Sequence, residues 1–226
     1  MARTINLYDG LEALYYFDSD YFNNGSNEIS DQSGHGRHAE ASGGPTVGVN
    51  GPAGFEATSF DGIDDQFDPS GITVFSDKSY TNAALVNGKY NKVYSQHRGA
   101  GDRVNFRSGS DFLRYGYADS NGDFYDIKFS PLSDFEDRWI LLVNQYDEST
   151  DTHRFYADGQ TKTSRGDGFT VADSGQNNHY TIGSNYDGSG IFFDGEIAYV
   201  ARWSRALSTT EIEQLDRLTG PRRAML

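Results

Sequence analysis

The densest oxygen cluster in the chain is Asp61-Gly62-Ile63-Asp64-Asp65, three carboxylates within five residues. Hard cations such as calcium take six to eight oxygen ligands, so Asp61, Asp64 and Asp65 are the candidate metal ligands and calcium the candidate cofactor. The same residues suit a tight turn in which aspartate side chains accept from nearby backbone amides. A second stretch, Asp119-Ser120-Asn121-Gly122-Asp123, opens like a calcium loop. It has Phe124 where that loop needs glycine and Ser130 where it needs a bidentate glutamate, so it reads as a hairpin. His35 and His38 sit in a glycine-rich loop without the further ligands a transition metal would need, and read as unpaired surface residues.

Positive charge is concentrated in one region of an otherwise acidic chain. His97, Arg98, Arg103, Arg107 and Arg114 are interleaved with Tyr90, Tyr94, Tyr115 and Tyr117. Aromatic rings stack on the apolar faces of sugars, and guanidinium groups bind carboxylate or sulfate bidentately. Tyr94, His97, Arg98, Arg107, Arg114, Tyr115 and Tyr117 therefore form a candidate carbohydrate-binding face suited to an acidic glycan. Cross-strand Arg–Asp pairs and tyrosines packed within a sheet would account for the same residues. Asn185 and Tyr186, in a loop flanked by glycines, are a second candidate. No Ser-His-Asp set, phosphate-binding loop or nucleotide fingerprint occurs, so no catalytic residue is assigned.

These residues need strands to hold them. Leu7 to Asp18 reads as the first, with Leu11, Ala13, Tyr15 and Phe17 on one face. Ser19 to Gly54 lacks periodicity and reads as a long loop. Strands are expected over Phe55 to Phe67, Ile72 to Phe75 and Tyr80 to Val86. Hairpins follow over Lys92 to Gln96, Arg103 to Arg107, Phe112 to Ala118 and Phe124 to Phe129, with a turn at Asn121-Gly122. Trp139 to Tyr146 and His153 to Ala157 form another, with Asp158-Gly159 turning the chain back. His179 to Gly183 and Ile191 to Trp203 complete the set. The last puts Ile197, Tyr199, Ala201 and Trp203 on one face, with Glu196 and Arg202 opposite. A short helix follows. Ser208 and Glu211 make a capping box, Leu207 and Ile212 a hydrophobic staple, and Gly220-Pro221 a stop.

The closing stretch, Phe193 to Ile212, resembles the end of the laminin-G-like or concanavalin-A-like jelly rolls, roughly G-x-I-x-x-V-x-x-W-x-R-A-L-S-x-x-E-I. Asp31 to Pro45 resembles that family's Asp-x-Ser-Gly-x-Gly loop, and Ser59 to Asp68 its Phe-Asp-Gly-x-Asp-Asp strand opening. Arg138 to Gln160 resembles its Trp strand, hairpin and Tyr-x-Asp-Gly turn. The resemblance implies one domain over residues 1–226, an all-β two-sheet antiparallel jelly-roll sandwich with a short C-terminal helix. It also implies that calcium can bind near Asp61 to Asp65. Ala198 stands where many relatives carry a calcium-binding aspartate. The Glu-x-Asp-x-x-Glu and Glu-x-Asp-x-Glu strands of the family's glucanases are missing from this sequence.

Among 226 residues, 33 are Asp or Glu and 19 Lys or Arg, giving a net charge of −14. Such a balance disfavours nucleic-acid binding, since phosphates want a basic face. Lysine is scarce beside arginine, and acidic, lysine-poor surfaces stay hydrated in concentrated salt, which points to a halophile. The absence of cysteine excludes disulfides and thiolate metal sites. No run approaches the ~18 apolar residues of a membrane span, and Met1 to Asn6 lacks the apolar core of a signal peptide. The resulting expectation is a non-enzymatic surface structural or adhesion protein with a lectin-like domain. Its place would be the virion of a halophilic archaeal virus, as capsid decoration, turret or tail fibre, made in the host cytoplasm. Its expected partners are a cell-surface glycan or glycoprotein, other virion proteins and copies of itself. The alternatives are a secreted, extracellular carbohydrate-binding module and a glycan-cleaving enzyme.

Overall fold

Alternating apolar residues between Gly-, Asp- and Asn-rich turns dictate short antiparallel strands. The structure, a computed structural model, describes residues 6–72, 78–97, 102–107, 112–118, 124–165, 179–185 and 191–219. The first strands are β1 (Leu11–Tyr16), β2 (Phe22–Asn23), β3 (Glu28–Ile29), β4 (Ala39–Ser42), β5 (Thr46–Asn50), β6 (Glu56–Asp61), β7 (Gln66–Pro69) and β8 (Tyr80–His97). Then come β9 (Asp102–Arg107), β10 (Phe112–Ala118), β11 (Phe124–Phe129), β12 (Ile140–Asp147), β13 (Thr152–Ala157), β14 (Gln160–Arg165), β15 (His179–Ile182) and β16 (Asp194–Trp203). Helix α1 (Thr209–Thr219) closes the chain.

Strand β8 belongs to both layers. Its first half pairs with β12 and β16, and its second half with β9 and β15. One sheet therefore runs β14-β13-β12-β8-β16, with β1 and β6 on the far side of β16 and β5 beyond β6. The other runs β11-β10-β9-β8-β15-β7-β4-β3-β2. The fold is the antiparallel jelly-roll sandwich that the motifs implied. Two expected strands, Tyr80–Val86 and Lys92–Gln96, are one continuous strand that bends from sheet to sheet. The stretch expected as a loop, Ser19 to Gly54, holds four short strands, two to five residues each, too brief to show a period. The Asn121-Gly122 turn and most of the strand expected over Ile72 to Phe75 lie outside the described residues.

The Asp31 loop ties β1 to the second sheet. One carboxylate accepts from the backbone amides of Leu14, Ser33 and Arg37 and from the Ser33 hydroxyl. Burial opposes its ionisation, yet these donors outweigh burial and hold its pKa below the usual value. His38 Nδ1 accepts from the Asp31 amide and His35 Nε2 lies 3.1 Å from the Leu11 carbonyl. Both imidazoles are exposed but engaged, unlike the unpaired residues expected.

Two bulges decide which side chains meet the core. The register of β1 slips between Leu11 and Ala13, so Ala13, Tyr15 and Phe17 face the opposite sheet while Leu11 and Leu14 face outward. In β16 it slips between Ile197 and Tyr199. Ile197 and Val200 enter the inner core, and Ala198, Tyr199, Ala201 and Trp203 all join a second, outer cluster. The single face expected for Ile197, Tyr199, Ala201 and Trp203 is thereby split, because one extra residue reverses the alternation. The outer cluster packs under α1 through Leu207, Ile212 and Leu215. The helix start is held as its sequence dictates: Ser208 N donates to Glu211 Oε2 at 2.8 Å, and Glu211 N to Ser208 Oγ at 3.3 Å. Arg205 clamps Glu211 with both terminal nitrogens and keeps its carboxyl down at about 2.

Candidate functional site

The structure separates the expected binding face into usable and unusable parts. Tyr94 and His97 lie on β8, Arg107 on β9, and Arg114, Tyr115 and Tyr117 on β10, so their strands are neighbours. Arg98 and Tyr186, and the side chains of Tyr94, His97 and Arg107, lie outside what is described. Tyr115 and Tyr117 are 0% and 1% exposed and point between the sheets, which corrects their expected role as a sugar platform. Strand alternation sends Arg114 the other way, where it pairs with Asp126 at 3.3 Å. Asn185 follows β15, which pairs with β8 through Ile182 and Tyr94 and lies on the opposite side of β8 from β9 and β10.

The Asp61 to Asp65 turn does gather its carboxylates. Atoms of Asp61, Asp64 and Asp65 lie within 4.8 Å of one another. Asp65 Oδ2 accepts from the Asp61 amide and Asp61 Oδ1 from the Ile63 amide, each at 2.8 Å. The turn is thus self-bonded, as its aspartates allow. Burial, and then the charges of Asp61 and Asp64, raise the Asp65 carboxyl above its usual pKa despite the amide it accepts from. A divalent cation would relieve that repulsion, and an all-oxygen donor set fits calcium. Ala198 contributes nothing here: it is buried in the outer cluster. Asp194 stands opposite Asp61 in the ladder. Gly43 lets the β4–β5 turn pass over this site, since a Cβ there would lie 2.3 Å from the Asp64 carbonyl oxygen.

A cleft of about 500 Å³ opens on the outer face of the first sheet, away from every candidate site residue named from the sequence. Its floor is Leu14, Leu85, Ala198, Tyr199 and Trp203, and one wall is Leu215 and Leu218 of α1. Tyr8, Tyr16, Tyr21 and Phe55 add rings, and Asp18, Asp20 and Glu56 add carboxylates. Of the seven large apolar side chains exposed among the described residues, four (Tyr8, Tyr16, Phe55 and Leu218) line this one cleft. Such clustering marks a contact site more than scattered exposure does.

The β16 bulge builds the floor. By turning Ala198 and Tyr199 outward together, it leaves Tyr199 beneath Tyr16, with ring centroids 5.9 Å apart. Tyr16 also meets Tyr21 at 5.5 Å. Trp203 Nε1 donates to the Leu7 carbonyl at 2.7 Å, fixing the segment that carries Tyr8. Tyr199 is 5% exposed, and its hydroxyl has no hydrogen-bond partner among the described residues. Burial, reinforced by Tyr16 and Tyr8, pushes that phenol well above its normal pKa, so it is a neutral donor and acceptor. On the rim, Glu56 accepts from the backbone amide and hydroxyl of Ser19, which lowers its pKa. Asp18 accepts from the Asp20 amide at 2.8 Å, while the Asp20 carboxylate bonds to nothing described. The cleft therefore offers ring faces, a phenol and carboxylate acceptors, with no Lys or Arg among the described residues of its lining.

A family model described as the concanavalin A-like lectin/glucanases superfamily matches residues 61–213. No curated protein matches the chain. Among solved structures, the binding domain of paraclostridial mosquitocidal protein 1 aligns with a TM-score of 0.72 at 15% identity, over 93% of this chain and 52% of its own. Domain 4 of AbnA, an extracellular arabinanase of Geobacillus stearothermophilus solved with arabinotriose, aligns at 0.67 and 17%, over 91% and 97%. A botulinum neurotoxin type C structure, whose report ties cell entry to interaction with two ganglioside molecules, aligns at 0.66 and 13%, over 95% and 52%. The chain spans about half the length of the two toxin chains, and at these identities the likeness is one of fold.

Proposed function

Because the chain belongs to the concanavalin A-like lectin/glucanase superfamily, we propose that it is a non-enzymatic glycan-binding module whose sugar lies in the outer cleft. The observation that carries this is the cleft's composition. Ring faces stack on the apolar faces of a pyranose, while carboxylates and the Tyr199 phenol, which has no partner among the described residues, take its hydroxyls. The arabinotriose bound to the arabinanase domain and the gangliosides of the neurotoxin support a sugar-binding use of this fold.

Titration calorimetry against neutral oligosaccharides tests the reading. Tyr16→Ala and Tyr8→Ala remove exposed rings at no cost to the inner core, and each should weaken binding about fivefold, the worth of one aromatic contact near 1 kcal/mol. Binding that survives the double variant intact would place the sugar elsewhere. A polysaccharide shortened on incubation would favour the glycan-cleaving alternative.

The finer reading rests on composition. A net charge of −14 with scarce lysine suits a surface bathed in concentrated salt, such as the virion of a halophile's virus. A single weak sugar site gains from display in several copies, which suits an oligomer on a particle or cell surface. Calcium enters as a structural ion. The Asp61 to Asp65 turn is not part of the cleft lining, so millimolar calcium should raise the melting temperature of a chelated sample and leave sugar affinity unchanged. An unchanged melt would remove calcium from the proposal.

A further inference from the structure

The charge of the cleft narrows the sugar. We infer that it takes hexosamine units carrying a free amino group and rejects uronic, sialic and sulfated sugars. This rests on the glycan-binding reading and reverses the acidic ligand that the arginine-rich strands suggested.

Three carboxylates, Asp18, Asp20 and Glu56, stand among the lining residues, and among the described residues no basic side chain accompanies them. An anionic sugar placed there would face like charges along the rim at close range. A protonated amine meets the opposite situation. It finds an Asp20 carboxylate uncommitted to any described group, and the negative faces of Tyr8, Tyr16, Tyr21 and Phe55 nearby. The acids are held in place by the fold. The Ser19 contacts that fix Glu56 also lower its pKa, so it stays ionised through the neutral range. Asp18 is set by capping the turn that presents Asp20. The apolar floor of Leu14, Leu85 and Trp203 takes the carbon face of the ring while the amine looks to the rim.

The test uses the whole chain and four probes of equal length at about 0.1 M salt: tetrameric glucosamine, its N-acetylated form, tetragalacturonate and a neutral hexose tetramer. The glucosamine tetramer should bind roughly tenfold more tightly than the N-acetylated one, and the uronate not measurably. Asp20→Asn and Asp18→Asn keep the local acceptors, and together they should erase most of that preference, weakening the glucosamine tetramer far more than the neutral hexose tetramer. Tyr16→Ala, which leaves every charge in place, should weaken the glucosamine tetramer as well. If it does not, the attraction is that of a net-acidic surface and the inference falls. Uronate binding equal to or tighter than glucosamine also overturns it, as does a preference that outlasts both Asn changes. If only the neutral probes bind, the amine assignment is wrong and the glycan reading stands. If none of the four binds, the glycan reading itself fails.

Discussion

Replacing Arg202 with Met should cost the fold about 3–5 kcal/mol, a large share of the 5–15 kcal/mol that holds a typical domain together. Arg202 is 0% exposed, on the inward face of β16, where the sequence places it opposite Trp203. Its Nε donates to Glu12 Oε2 at 3.1 Å and its Nη1 to Asn82 Oδ1 at 2.8 Å. The guanidinium also lies over the Tyr80 and Tyr180 rings, 5.5 and 5.8 Å from their centroids. Glu12 is on β1, Asn82 on β8 and Tyr180 on β15, so one side chain links three strands of the first sheet to the second. Methionine would keep much of the packing and leave the Glu12 carboxylate and the Asn82 amide short of their partner. Asn82 Nδ2 already lacks one among the described residues. The loss should appear as a melting point lowered by roughly 6–20 °C. Glu12→Gln in the same chain should return part of it, since Arg37, 3.8 Å from Glu12, compensates only weakly. A single-variant loss below about 1 kcal/mol would show that the pair contributes little beyond packing.

Residues that act through local chemistry were legible in the sequence. The Ser208–Glu211 box, the Asp31 loop and the Asp158-Gly159 turn each depend on side chains within a few positions, and each is found where expected. The two bulges were not, because a bulge replaces one register with another of nearly equal apolar content. Ala198 and Tyr199 read as alternating positions of any strand until pairing with β8 introduces the slip that turns both outward. The same limit hid the cleft. Its lining comes from the N-terminal segment, β1, two turns, β6, β8, β16 and α1, and no spacing rule joins Tyr8 to Leu218. One signal was present: Tyr8, Tyr15, Tyr16 and Tyr21 crowd a short segment, and of these only Tyr15 is fully buried in the inner core. In the arginine-rich strands the opposite error arose. Tyr115 and Tyr117 share a face with each other but not with Arg114, so counting them together mixed core with surface.

Tyr115 and Tyr117 instead enclose His153, and the chain should lose stability in mild acid because of it. His153 is 1% exposed on the inner face of β13. Its Nδ1 is hydrogen-bonded to the Tyr115 hydroxyl at 2.8 Å, and that hydroxyl to Tyr80 at the same distance. The Tyr117 ring stacks on the imidazole at 3.7 Å and Tyr146 at 4.7 Å. Burial lowers the imidazole pKa to about 3, against 6.5 for the unperturbed group. The unfolded chain therefore takes up a proton below pH 6.5 that the folded one refuses until about pH 3. The stabilisation is complete above the higher value and falls by at most about 1.4 kcal/mol per pH unit beneath it, near 2 kcal/mol by pH 5. The carboxylates held low in the fold, Asp31, Asp147 and Glu211, have the same sign but act only below their unfolded values near 4, while the raised carboxyl of Asp65 has the opposite sign, so the histidine is isolated by comparing the native chain with a His153 variant between pH 7.5 and 5. Denaturant melts across that interval should slope down in the native chain and stay nearly flat in His153→Gln, which retains an acceptor for Tyr115. If that variant folds poorly, the native imidazole can be followed by NMR, where its signals should not titrate above pH 4. Equal slopes in both proteins, or an imidazole that titrates near 6.5, would mean that water reaches His153 and that the sandwich is open at this end.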